Sequence, residues 1–151
     1  MKDGLSALNE SDGYATPSAV HQASGTHLLA DFYGVAQDKL CCADSIGLLL
    51  QKSAEAAGAE VLFSHFHSFG TGQGVTGVLL LAESHISIHT WPENGFAAAD
   101  IFMCGKAEPL RSLEVLQLAL QAASCRVQNI VRGVYAGTDG ARRETPLTPG
   151  T

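Results

Sequence analysis

Between residues 60 and 104 four short apolar runs follow one another with little besides turn residues between them. They are EVLFSHFHSF (60–69), VTGVLLLA (75–82), HISIHTW (85–91) and FAAADIFMC (96–104). HISIHTW alternates strictly, the period of a strand with unlike faces. GTGQG (70–74) and PENG (92–95) carry the glycine, proline and asparagine of tight turns. Connections this short have no room for a crossover helix, so neighbouring runs must pair as antiparallel hairpins.

Two helices and two outer strands frame this meander. THLLADFYG (26–34) has the apolar and aromatic bias of a strand. Asp44 is placed to cap a helix running to about Ala57. Ile46, Leu49, Leu50, Ala54 and Ala57 recur at helical spacing, and Gly58 ends it. In PLRSLEVLQLALQAA (109–123), Pro109 suits a first turn, and Leu110, Leu113, Leu116 and Leu120 share a face. CRVQNIVRGVY (125–135) reads as the last strand. The pattern predicts an α+β two-layer sandwich, an antiparallel sheet with both helices on one face. VLLLA and IFMC suggest that the other sheet face is apolar as well. That predicts sheets packing across a homodimer. Residues 1–24 and 136–151 lack periodicity and read as a flexible leader and tail, leaving 25–135 as the folded domain.

Composition narrows the function classes. The 151 residues are 46% hydrophobic, enough for one domain with a core that needs no disulfides. Lys and Arg number 9 against 15 Asp and Glu, a net charge of −6. That balance argues against nucleic acid and mildly favours a cationic small molecule. No run of about 18 apolar residues exists to span a membrane. The N-terminal stretch carries acids and no apolar segment of the secretory kind. Cys41, Cys42, Cys104 and Cys125 contain no CxxC pair. They read as reduced thiols of a cytoplasmic protein, not as a disulfide framework or a zinc site, and no metal is expected.

Three constellations could carry chemistry. On a strand, His85, Ser87 and His89 share one face and Ile86 and Ile88 the other; the plain reading is a polar strand face. His65 and His67 alternate in the same way and read as an edge-strand pair, with Phe66 and Phe69 as core on residue type. GTGQG lacks the Gly-Lys-Ser/Thr of a phosphate loop and precedes a strand, so it reads as a hairpin connection. Cys104, alone at a strand end, reads as a small buried hydrophobe before a catalytic thiol.

Residues 82–105, AESHISIHTWPENGFAAADIFMCG, resemble the processing-site segment of the prokaryotic S-adenosylmethionine decarboxylases. GTHLLADFYG, FHSF, GVTG and VRGVY extend the resemblance over roughly 25–135. It implies a proenzyme that cuts itself between Glu83 and Ser84. The Ser84 hydroxyl would attack the Glu83 carbonyl to give an ester, and β-elimination and hydrolysis would leave a pyruvoyl group at the new terminus. That covalent cofactor forms a Schiff base with the substrate amine and accepts electrons as CO₂ departs. The resemblance places a processing histidine at His89, its hydroxyl partner at Thr76 and a proton donor at Cys104. It places an aromatic substrate contact at Phe69 and a carboxylate for the substrate at Glu93. Trp91 would complete the pocket, from a neighbouring protomer. The implied reaction belongs to polyamine biosynthesis, with S-adenosylmethionine as substrate. Gly70-Thr71-Gly72-Gln73 departs from many family members, and Glu93 suits a terminal ammonium or guanidinium as well as a ribose. L-ornithine and L-arginine therefore stand as alternative substrates. An uncut regulatory pseudoenzyme is the reading from another class.

Overall fold

A computed structural model describes residues 24–133, so the proposed leader and tail fall almost wholly outside it. Its elements are β1 (Gly25–Tyr33), α1 (Ala43–Ala56), β2 (Val61–Ser68), β3 (Val75–Leu81), β4 (Ser84–Trp91), β5 (Phe96–Cys104), α2 (Pro109–Leu120) and β6 (Ser124–Arg132). The strands form one sheet in the order β2-β3-β4-β5-β1-β6, and every pairing is antiparallel. The meander expected from 60–104 is β2–β5, four of the six strands of that sheet.

Alternation explains which face the helices cover. In β5 every second residue is buried, namely Ala97, Ala99, Ile101 and Met103. Val75, Leu79 and Leu81 of β3, Ile86 and Ile88 of β4, and Leu28, Ala30 and Phe32 of β1 do the same. They form one core with Ile46, Leu50 and Ala54 of α1 and Leu113, Leu116 and Leu120 of α2. Each of the large side chains buried there stabilises the fold by about 1.5–3 kcal/mol relative to exposure. Gly77 lets the ring of Phe66 cross β3, where any Cβ would collide with it. Phe66 thereby packs against the core. By alternation His65 and His67 then face the other way, on an edge strand.

Four local expectations need correction. The N-cap of α1 is Cys42, and Asp44 lies inside the first turn, where its charge still complements the helix dipole. Leu110 is exposed; at about 100° per residue it sits on the flank of the stripe centred on Leu113, Leu116 and Leu120. Helix α2 stops at Leu120, because Gln121 adopts a left-handed backbone and Lys39 Nζ donates to Ala119 O and Gln121 Oε1. Phe69 is not core: it is 64% exposed, just past the end of β2.

The sheet face away from the helices, the open face, is also not uniformly apolar. Tyr33, Phe63, Leu80, Trp91 and Ile130 lie exposed on it. His27, Asp100 and Ser87 occupy its centre, with Ser87 Oγ donating to Asp100 Oδ2 at 3.3 Å. His27 Nε2 is buried 3.4 Å from Asp100 Oδ1, outside hydrogen-bonding geometry.

Candidate active site

The residues singled out in the sequence gather at two places. The first is the sheet end where β4 begins and β5 finishes. Residues 82 and 83 form a two-residue loop, since Leu81 pairs with Ser84 across it. The backbone N–H of Cys104 donates to Ser84 Oγ at 3.1 Å. Ser84, Glu83 and Cys104 line a cavity of about 490 Å³ together with Gly25, His85, Phe102 and Arg132. Gly25 makes room there: a Cβ would stand 2.9 Å from Cys104 Sγ and 2.7 Å from the Phe102 ring. The Arg132 guanidinium lies 5.8 Å from the centre of that ring.

His85 packs against His27 and Phe102 in this corner. Burial pushes its pKa down, and the neighbouring charges of His27 and Arg132 push the same way against Asp100. The unfolded chain therefore takes up a proton near the ordinary value of 6.5, while the folded chain does so only at lower pH. Stability contributed by neutral His85 is full above that value and is lost as pH falls below it. The melting temperature should fall from about pH 7.5 to about pH 5.5 more steeply in the wild type than in His85→Gln. Parallel curves would contradict this assignment.

The second place lies at the other end of β4. Thr76 and His89 pair across β3 and β4, and Thr76 Oγ1 lies 3.0 Å from His89 Nδ1 in a hydrogen bond. Phe69, Gln73, Trp91 and Glu93 join them around a cavity of about 280 Å³. Phe69 meets the His67 ring edge-on at 4.8 Å. Trp91 stacks on Phe96 at 5.3 Å, and Phe96 on Tyr33 at 5.1 Å. Glu93 sits in a single 3-10 turn, Pro92–Asn94, closed by left-handed Gly95. Buried Thr90 anchors this block: its hydroxyl accepts from Val75 N–H at 2.8 Å and donates to Leu40 O at 2.7 Å.

The two places are far apart. Ser84 and His89 are five residues apart on one strand, roughly 16 Å at about 3.3 Å per residue. One chain thus brings Ser84, Glu83 and Cys104 together, and separately Thr76, His89, Phe69, Trp91 and Glu93. It does not bring His89 to Ser84.

Gly25, Phe102, Arg132 and Thr90 also shape these sites and were not singled out, whereas His85 was read only as part of a polar strand face. The alternation in HISIHTW placed His85 on the open face, which was its signal. For Gly25 and Arg132 the partners are distant in sequence, and only strand pairing reveals them. Cys41, Cys42, Cys104 and Cys125 are free thiols. Among the described residues no group of three His, Cys, Asp or Glu could hold a metal ion, and no helix is long and apolar enough to cross a membrane.

Known proteins share this fold. Residues 26–133 match the sequence profile of the S-adenosylmethionine decarboxylase family. The S-adenosylmethionine decarboxylase proenzyme of Persephonella marina is 47% identical over 98 residues, 64% of this chain and 73% of that one. The proenzyme of Caldicellulosiruptor saccharolyticus is 39% identical over 114 residues, 75% of this chain and 91% of its own. The crystal structure of the adenosylmethionine decarboxylase from Aquifex aeolicus superposes with a TM-score of 0.69 at 35% identity, covering 80% of this chain and 99% of that one. With the profile spanning the sheet, both helices and both clusters, this chain belongs to the S-adenosylmethionine decarboxylase family.

Proposed function

We propose that the chain is a self-cleaving, pyruvoyl-dependent decarboxylase of S-adenosylmethionine. The observation that carries this reading is that Ser84, directly after the Glu83–Ser84 bond, shares one cavity with Cys104, whose backbone N–H holds the Ser84 hydroxyl. The surroundings fit a pyruvoyl group formed from Ser84. The bond lies at the edge of a two-residue loop, and β3 and β4 are each paired on both sides. A cut there leaves those ladders in place. When formed, the group supplies a carbonyl that takes up the substrate amine and accepts the electron pair released with CO₂.

The chain's own residues account for the rest. Cys104 carries a transferable proton in the same cavity and would donate it to the substrate carbon after CO₂ leaves, becoming a thiolate. Cys104→Ala should be cut normally yet lose about 10²–10⁴-fold in decarboxylation. Full turnover in that variant would remove the thiol from the reaction. His89, held by Thr76, moves the protons of self-cleavage. Phe69, Trp91 and Glu93 suit a cationic substrate, offering aromatic faces to a sulfonium and a carboxylate to hydroxyls.

Both clusters must serve one reaction, so the working site is composed from two copies of the chain. The roughly 16 Å along β4 and the exposed Tyr33, Phe63, Leu80, Trp91 and Ile130 on the open face support a face-to-face homodimer. Free thiols suit a reducing compartment, the cytoplasm.

The test is CO₂ release by the purified protein with S-adenosylmethionine, L-ornithine and L-arginine side by side. Release from S-adenosylmethionine alone is the expected result. Release only from a basic amino acid would move the substrate assignment. Denaturing mass spectrometry should find chains 1–83 and 84–151, and a single intact chain would mark a pseudoenzyme.

A further inference from the structure

Glu83 has φ = 62°, and among the described residues only Gln121, at the end of α2, is another non-glycine with positive φ. Pairing of Leu81 with Ser84 makes Ala82 and Glu83 a two-residue hairpin loop. Hairpins favour loops with positive φ at both residues or at the first. Here the second alone is positive, the type II pattern, which calls for glycine or asparagine at that position and splays right-twisted strands. A glutamate held there brings its Cβ against the following carbonyl oxygen. That carbonyl is the one at which the proposed cut occurs.

We propose that the left-handed backbone at Glu83 is strain placed at the scissile bond, and that it drives self-cleavage. The inference rests on the self-processing reading above. In the step, Ser84 Oγ bonds to the Glu83 carbonyl carbon and the carbon–nitrogen bond to Ser84 breaks. The hydroxyl proton ends on the Ser84 nitrogen, and an ester replaces the amide. Exchanging amide for ester is uphill in an unstrained peptide, because amide resonance is lost. The ester inserts the Ser84 side chain into the chain path, so Glu83 is released from its fixed turn and returns to negative φ. The ladder supplies the restraint before the step: Leu80 pairs with His85, β5 holds β4 from the other side, and Cys104 N–H holds Ser84 Oγ. Strain of this kind persists only where the surroundings over-determine it, and it gathers at reacting positions.

The test is a series at position 83 in the full-length chain: wild type, Glu83→Ala, Glu83→Asn and Glu83→Gly. Cleavage is followed by denaturing mass spectrometry, and the ester is trapped with hydroxylamine. Alanine keeps the backbone penalty and removes the carboxylate, so it is the reference for the next two variants and should cleave faster than both. Asparagine, which tolerates the left-handed region, should be slower. Glycine should be slowest, by about tenfold, with less ester trapped. Circular dichroism of each variant confirms that it is folded, and the asparagine variant carries the comparison if one of the others is not. Glycine cleaving as fast as wild type would overturn the proposal, as would alanine slowed as much as glycine, which would mark a role for the carboxylate. A wild-type chain that never cleaves would overturn self-processing itself, along with this inference; a cleaving wild type with no ordering in the series overturns only the strain.

Discussion

Ser84→Ala should leave the chain in one piece and without decarboxylase activity. The hydroxyl is the nucleophile of the proposed cut, and no other side chain can replace it on the same α-carbon. Without the cut there is no carbonyl to hold the substrate amine, so activity should fall to the uncatalysed background. The fold should survive. Ser84 is half-buried at a strand end, and the change removes one hydrogen bond, from Cys104 N–H. Such a bond contributes about 0.5–1.5 kcal/mol, a small share of the about 5–15 kcal/mol that holds a domain of this size. Intact mass and CO₂ release check both halves. Turnover by an uncut Ser84→Ala chain would end the pyruvoyl reading.

Two inactive variants should restore activity when they share a dimer. Cys104→Ala loses the proton donor, and His89→Ala loses the processing base, so each alone should be inactive. In a mixed dimer one site draws Ser84 and Cys104 from the His89→Ala chain and His89 from its partner. That site is intact, while the other lacks both groups. Random pairing makes half the dimers mixed, so about a quarter of wild-type activity should return on co-expression. No recovery would place both clusters in the service of one chain, against the roughly 16 Å between them along the strand. The experiment also separates a composite site from a dimer that merely buries apolar surface.

Much of this architecture is legible in residue order because it depends on short-range rules. Strict alternation in HISIHTW puts Ile86 and Ile88 in the core, where both are fully buried. GTGQG and PENG mark turns because glycine and proline restrict the backbone wherever they stand. The stripe Leu113, Leu116 and Leu120 predicts the buried face of α2. Expectations failed where a neighbour outside the local window decides. Phe69 carries a core-like side chain, yet the end of β2 leaves it exposed beside His67. Asp44 has capping chemistry, but the helix begins two residues too early to use it, with Cys42 at the cap.

By itself, then, the sequence determined the strands, the helices and the family, and pointed to the residues proposed to carry the chemistry. Those follow from period, turn chemistry and motif, all local in the chain. Only the tertiary structure decided the grouping. Strand pairing set Ser84 beside Cys104, 20 residues on, and brought Gly25 of β1 and Arg132 of β6 to the same cavity. The extended strand then kept His89 away from Ser84, although only five positions separate them. Extended backbone turns a short sequence distance into a long spatial one, and antiparallel pairing does the reverse.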